Sequence, residues 1–108
     1  MGEVVYQSGE LAYNSDNGDE DYNLAGKSSA IEHHISINSA VTAGELQVWG
    51  KPLGASYFKR LVDNLDLSDE TLQQAVFRGL YTVIRVTPDG TTPPAADTDY
   101  TITIAGYG

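Results

Sequence analysis

Short segments in which apolar and other side chains alternate with a period of two constrain the fold of this chain more than any other feature. The clearest is Gly79 to Gly90, GLYTVIRVTPDG. A period of two places alternate side chains on opposite faces of a β-strand. Both faces of this segment are largely apolar, as in a strand in the middle of a packed sheet. It therefore predicts the central strand of a β-sandwich, with Ile84 and Val86 packed inward.

The same alternation recurs in three other segments. Ser29 to Asn38 places Ile31, His33, Ile35 and Ile37 on one face. Gly44 to Gly50 does the same with Leu46 and Val48, and Asp99 to Gly106 with Tyr100, Ile102 and Ile104. Ser56 to Val62 is a further candidate strand. We predict that Ser39 to Ala43 is a hairpin link, and that the last strand pairs with Gly79 to Gly90.

Two turns punctuate this pattern. Pro88-Asp89-Gly90 combines a proline, which fixes φ, with a glycine, which permits a positive φ. Thr91 to Thr98, TTPPAADT, contains too much proline for regular pairing and is expected to be a surface connection. Lys51 to Ala55, with both proline and glycine, predicts another turn.

The segment Asp63 to Gly79 has two interpretations. A helix is supported by Ser68 as a possible N-cap, followed by acidic residues, with Gly79 as a possible C-terminal stop. A strand is supported by the β-favouring content of Gln74 to Arg78, with Gly79 as a bulge or kink. We favour the strand, and a short helical turn at Ser68 to Leu72 is compatible with either interpretation.

The first 28 residues differ from the rest in charge. They carry six acidic residues and no basic residue before Lys27. Only Glu3 to Gln7 has the composition of a strand. We therefore predict an all-β chain in which an extended acidic N-terminal arm, residues 1–28, precedes an antiparallel β-sandwich domain, residues 29–108, of immunoglobulin-like or jelly-roll-like type.

Composition narrows the possible partners. The formal net charge is −9, and phosphate binding depends on clustered Lys and Arg, so we expect no nucleic-acid partner. The longest apolar runs are only a few residues, and we expect no membrane partner. The chain has no cysteine, so thiolate metal sites and cysteine nucleophiles are excluded.

The acidic loop from Asn14 to Asp21 is the best metal candidate, because calcium prefers several oxygen ligands from a flexible loop. Its spacing departs from the helix-loop-helix calcium pattern: counted from Asp19, Leu24 stands where glycine is needed and Ala30 where a bidentate Glu is needed. A solvated loop is the favoured interpretation, and we expect no metal and no cofactor. His33 and His34 are adjacent and would leave opposite faces of a strand, so they are not expected to share a metal ion.

No motif predicts catalysis: the chain has no G-x-S-x-G elbow, no Walker loop and no G-x-G-x-x-G, and we expect no enzyme. Seven tyrosines and one tryptophan suit surfaces that become partly buried on association. Carbohydrate stacking on Trp49 or Tyr57 is an alternative use of these rings. We expect partner contacts at Val4, Tyr6, Leu11, Tyr13, Tyr22, Trp49 and Tyr57.

The second half of the chain carries a resemblance. The order GELQVWGKPLGASYFKRL, LDLS, FRGLYTVIRVTPDG and TDYTITIAG, over roughly residues 44–108, is similar to small β-sandwich proteins of tailed bacteriophage virions, of the head-decoration and tail-accessory kind. The resemblance implies a structural subunit located in the virion and repeated on a symmetric particle. It further implies a trimer or other homo-oligomer that contacts major capsid or tail proteins, and it brings no catalytic residues. The alternative is a β-sandwich module that binds carbohydrate or a host surface.

Overall fold

The structure is a computed structural model that describes residues 2–27, 29–38, 43–68 and 73–108. It contains ten strands in this part of the chain and a short 3₁₀ turn at Ser15–Asn17. The strands are β1 (Val4–Gln7), β2 (Leu11–Asn14), β3 (Glu20–Asn23), β4 (Glu32–Asn38), β5 (Glu45–Pro52), β6 (Lys59–Arg60), β7 (Leu65–Asp66), β8 (Gln74–Arg78), β9 (Tyr81–Pro88) and β10 (Asp99–Tyr107).

The strands form two antiparallel sheets of five strands each, which pack face to face. Sheet A has the order β1-β10-β4-β8, and β2 pairs with β10 beyond the end of β1. Sheet B has the order β3-β9-β5-β6, and β7 pairs with the beginning of β5. The predicted all-β antiparallel sandwich is therefore confirmed.

The alternating positions form the core between the sheets, as the sequence predicts. His33, Ile35 and Ile37 of β4 are buried, as are Ile84 and Val86 of β9. Tyr100, Ile102 and Ile104 of β10 and Leu46 and Val48 of β5 complete this set. Ile31 and Leu80 are exceptions, because they precede β4 and β9 and are exposed.

The prediction of an extended N-terminal arm is wrong. β1 and β2 pair with β10 in sheet A, while β3 pairs with β9 in sheet B, so this segment contributes to both sheets. Tyr6, Tyr13 and Leu24 are buried in the same core as the later strands. Their burial supplies the hydrophobic stabilisation that an isolated acidic segment would lack.

Two predicted pairings are also wrong. β9 and β10 lie in different sheets, because the link between Pro88 and Asp99 crosses from sheet B to sheet A. β4 and β5 likewise belong to different sheets and do not pair as a hairpin, and residues 39–42 of the predicted link lie outside the described residues. Of the candidate strand Ser56 to Val62, only Lys59–Arg60 pairs.

The segment before β9 follows the favoured interpretation. Gln74–Arg78 is a strand, and Gly79 has a φ of 136°, a value that L-residues with side chains rarely adopt. The helical turn predicted at Ser68 to Leu72 falls partly on residues 69–72, outside the described residues. At the other turn, Gly90 does not adopt a positive φ. Instead, the Asp89 carboxylate accepts the backbone N–H groups of Thr91 and Thr92.

Candidate interaction surfaces

The two ends of the sandwich differ in charge. We call the end where β5 begins and β9 ends the Asp89 end, and the opposite end, where β5 ends and β9 begins, the Leu53 end. The register of the strands places most carboxylates of the described residues at or near the Asp89 end. They are Asp16, Asp19, Glu20, Glu45, Asp66, Asp89, Asp97 and Asp99.

Basic side chains are concentrated toward the Leu53 end. Lys51 is the residue before the last of β5, Arg78 is the last residue of β8, and Lys27 follows β3. Lys59 and Arg60 line a hollow of about 360 Å³ that also includes Leu80. Arg85 lies nearer the middle of sheet B, level with Trp49 and Arg60, and its charge is paired to the carboxylates of Asp19 and Asp21.

Exposed apolar side chains gather at the same end. Leu53 and Leu80 are joined by a backbone hydrogen bond of 2.9 Å and are 51 % and 41 % exposed. Tyr57, 60 % exposed, lies in the loop that leads from Pro52 to β6. Ile31 accepts a hydrogen bond from Gly79, and Val4 pairs with Tyr107 at this end of sheet A. Contiguous exposed apolar side chains are a common feature of contact surfaces in proteins.

The outer face of sheet B carries a second surface, around Trp49. Trp49 lies between Arg60 and Arg85 on neighbouring strands. The Arg85 guanidinium stacks 4.0 Å from the centre of the Phe58 ring and makes a two-point ion pair with Asp21, at 2.7 and 3.0 Å. This pairing raises the pKa of Arg85. A depression of about 290 Å³ is lined by Asp19, Gln47, Trp49, Phe58, Arg85 and Thr87.

The outer face of sheet A forms an open groove of about 1040 Å³. Its floor consists of short side chains from β4 and β10, including Ser36, Thr103 and Ala105. Its walls come from the two edges of the sheet, with Gln7 on one side and Gln74 and Val76 on the other. The groove therefore extends to the edge strand β8.

A hydrogen-bond network closes the Asp89 end. The nearly buried Asp89 carboxylate accepts hydrogen bonds from the backbone of Thr91 and Thr92 and from the side chains of Gln47 and Asn64. The Thr92 N–H contributes most to a pKa of Asp89 far below the usual range. Gln47 also accepts the indole N–H of Trp49 and links this network to the Trp49 depression. Asp89 therefore has a structural role in holding the Pro-rich connection.

The acidic loop predicted as a possible calcium site uses its carboxylates for contacts within the chain. Asp16 accepts the backbone N–H of Asp97, and the Asn14 side chain donates to Asp97 and Asp99. Asp19 and Asp21 face Arg85. Within the described ranges, no group of three or more His, Asp or Glu side chains is placed to hold a metal ion.

The predicted partner residues divide into three groups. Val4 and Tyr57 are exposed at the Leu53 end. Leu11, Tyr22 and Trp49 are partly buried. Trp49 lines the depression on the outer face of sheet B, and Tyr57 does not line it. The prediction for Tyr6 and Tyr13 is wrong, because both lie in the core and present almost no surface to a partner.

Sequence reasoning missed Ile31, Leu53, Leu80 and Val76 as exposed apolar residues. The signal for Leu53 was its position between Pro52 and Gly54 in a turn, where a buried leucine is not expected. Ile31 and Leu80 belong to alternating runs but precede the paired residues of their strands. The period of two therefore predicts that they are buried, whereas they are exposed.

Comparisons with known proteins identify no relative. No protein-family model matches the chain, and neither a curated protein nor a solved structure does so. Among the described residues, no helix is long and apolar enough to cross a membrane.

Proposed function

We propose that the chain is a non-enzymatic structural subunit that attaches to a larger particle through the Leu53 end. The observation that carries this proposal is that the exposed large apolar side chains of the described residues, except Val76, lie at the one end where basic residues are also concentrated. In a chain of net charge −9, this end is the surface least repelled by an acidic partner.

The chemistry of this end defines its partner. Leu53, Leu80 and Tyr57 offer apolar area whose removal from water stabilises a complex, at about 25 cal/mol for each Å² buried. Lys51, Lys59 and Arg60 around them favour a partner surface with carboxylates at its rim, and such complementarity speeds association and fixes orientation. The acidic Asp89 end then faces solvent and keeps the subunit soluble.

We propose further that the particle is a bacteriophage virion, whose capsid the chain decorates or cements, or whose tail it joins as an accessory component. The support for this assignment is the resemblance of residues 44–108 to small virion β-sandwich proteins. The partners are then major capsid or tail proteins and further copies of the chain. Because β1 to β3 belong to the sheets, the attachment residue from the N-terminal segment is Val4 of β1 and not an extended arm.

The test is to look for the chain in purified virions of the phage that encodes it, by mass spectrometry and by immunogold labelling. Wild-type chain is expected on particles at a fixed copy number. The double variant Leu53→Asp with Leu80→Asp should lower occupancy at least tenfold. The control Ala96→Asp adds a charge to an exposed position near the Asp89 end and should bind as the wild type does. Absence of the chain from virions, or equal occupancy of the three proteins, would contradict the proposal.

The Trp49 depression favours a second candidate function, recognition of a carbohydrate or of a host surface. It places an indole ring beside the polar side chains of Asp19, Gln47 and Thr87, which together offer an apolar platform and hydrogen-bonding groups. A glycan array with wild-type chain and the variant Trp49→Ala tests it. Binding that is lost in Trp49→Ala supports this function, and an array without hits opposes the carbohydrate version.

A further inference from the structure

β8 lies at one edge of sheet A, and its pairing with β4 determines where its backbone groups point. Ile37 donates to Gln73 at 2.9 Å, and Gly79 donates to Ile31 at 3.0 Å. With the observed register, the odd-numbered residues of β8 therefore exchange hydrogen bonds with β4. The N–H and C=O groups of Gln74, Val76 and Arg78 point away from the sheet, and no described strand pairs with them.

The other sheet edges carry features that oppose pairing between chains. The β1 and β2 edge has a register shift between Val4 and Tyr6 and is interrupted after Gln7. β3 has four residues and presents the carboxylate of Glu20, and β6 and β7 have two residues each. Bulges, charges and short length are the usual means by which proteins prevent pairing at an edge.

β8 lacks these features. It has five residues, QAVFR, with no proline, no carboxylate and no shift in register. Val76 at its centre is 54 % exposed on the outer face of the sheet. The single charge, on Arg78, is already paired with Glu32 at 2.7 Å. Among the described edges, β8 is thus the one open to another strand.

We propose that two copies of the chain pair antiparallel through β8, around a two-fold axis at Val76. This register places Val76 opposite itself and Arg78 opposite Gln74, so no like charges face each other. The outward-pointing N–H and C=O groups of Gln74, Val76 and Arg78 would form hydrogen bonds with the same groups of the second copy, as a symmetric interface requires. A strand bearing carboxylates would suit Arg78, but a second copy of β8 pairs with all three outward-pointing residues, Gln74, Val76 and Arg78, at once.

The pairing would extend sheet A across two copies. Because Gln74 and Val76 also form one wall of the groove on sheet A, the grooves of the two copies would become continuous. This inference rests on the proposed function only in treating the chain as a repeated subunit. The interface uses the edge of sheet A; of the residues assigned to the Leu53 end it includes Arg78, and it leaves Leu53, Tyr57 and Leu80 free for the particle.

The variant Val76→Pro tests the proposal sharply. Its missing N–H is one that points away from β4, so the internal ladder stays intact and edge strands tolerate proline at such positions. Sedimentation should show a dimer for wild type and at least tenfold weaker association for Val76→Pro, with the circular dichroism spectrum unchanged. Val76→Lys, which opposes two like charges, should give the same loss, and Val76→Thr should remain dimeric.

Cross-linking gives a second measurement. The chain has no cysteine, so Val76→Cys introduces a single thiol. Opposite residues in a hydrogen-bonded antiparallel pair have Cα atoms about 5.5 Å apart, a separation that a disulfide spans. Oxidation should therefore give a covalent dimer, whereas Val4→Cys, a valine of similar exposure on another strand, should give much less.

The outcomes separate this inference from the proposed function. A wild-type chain that stays monomeric at about 100 µM, or a dimer equally stable in Val76→Pro, overturns β8 pairing. Dimers lost in Val76→Pro from a chain that is absent from virions would support the pairing and refute the virion assignment. A chain that stays monomeric but is found on virions would refute the pairing and support the virion assignment.

Discussion

The hydroxyl group of Tyr6 lies 2.7 Å from Nδ1 of His33, and this contact joins the first strand of the chain to the centre of the core. His33 Nε2 lies 2.9 Å from the carbonyl oxygen of Gly79, which can only accept. Nε2 therefore carries the proton, and Nδ1 accepts from Tyr6. His33 has no solvent exposure and stacks on Phe77, so the structure holds it neutral.

Stability is expected to fall as the pH falls below neutrality. Burial lowers the pKa of His33, whereas in the unfolded chain the group titrates near about 6.5. Between these values the unfolded state binds the extra proton, so the stabilisation is present above about pH 6.5 and is lost below it, by up to about 1.4 kcal/mol for each pH unit. Urea unfolding at pH 7.5 and 5.5 measures the loss.

The variants His33→Gln and His34→Gln separate the two histidines. His33→Gln should have a lower free energy of unfolding than the wild type at both pH values. The difference between its free energies of unfolding at pH 7.5 and pH 5.5 should be much smaller than in the wild type. His34 lies on the outer face and is about one-third exposed, so His34→Gln should retain the difference. An unchanged pH dependence in His33→Gln would show that another group titrates.

Gly106 is expected to tolerate no side chain. It lies on β10, and a Cβ atom there would stand 2.0 Å from Cε1 of Tyr6. The ring has little freedom to move aside because its hydroxyl is bonded to His33. Gly106→Ala should therefore lower the free energy of unfolding by about 1–3 kcal/mol, as overpacking does.

Gly90→Ala provides the matched control for this substitution. A Cβ atom at Gly90 would meet no other atom within 4 Å, and Gly90 does not adopt a positive φ. Its replacement should be neutral or stabilise by up to about 1 kcal/mol through the unfolded state. Chemical denaturation of both variants measures the difference, and equal stabilities would mean that Tyr6 repacks without cost.

Local alternation in the sequence predicted the faces of the strands but not their partners. The period of two identifies Ile35, Ile84 and Ile102 as inward-facing, because it is a property of each strand alone. Whether two strands pair depends on where the link between them leads. The Pro-rich segment before β10 crosses between sheets, and no local pattern distinguishes such a crossing from a hairpin.

The surfaces were harder to predict than the core. The acidic composition of the first 28 residues favoured an arm. In the structure, however, Tyr6 of β1 and Tyr13 of β2 are each buried in the core. Trp49 was identified from its residue type. Its neighbours Phe58 and Arg85 come from a loop and another strand, and only the tertiary structure brings them together.

The Asp89 carboxylate is expected to be needed for the stability of the Asp89 end. Asp89→Asn replaces one acceptor oxygen by an NH₂ group that would face N–H and O–H donors. The substitution should lower the midpoint of thermal unfolding by about 5–10 °C. Because the pKa of Asp89 is lowered, its contribution is present above about pH 4 and lost as the pH falls further. The variant should therefore show a shallower loss of stability below pH 4, measured by thermal scans from pH 5 to 2.

Deletion of residues 2–26 is expected to abolish folding. It removes β1, β2 and β3, and with them the buried side chains of Tyr6, Tyr13 and Leu24. His33 and Tyr100 would then lose the rings of Tyr6 and Tyr13 that pack against them. β9 would lose one neighbouring strand, and β10 would lose two. The truncated chain should show no cooperative thermal transition, while a hydrophobic dye should bind to it.

A circular permutant is the control. It keeps all strands but changes their order along the chain, so it tests whether cooperative folding requires the strands themselves or their order. Gly108 donates to the carbonyl oxygen of Glu3 at 2.9 Å, so a short Gly-Ser linker can join the ends. New termini between Gly54 and Ala55 fall in an exposed turn with open space around Gly54. This permutant keeps all strands and should unfold cooperatively. A cooperative transition in the deletion variant would mean instead that the first three strands are dispensable for the core.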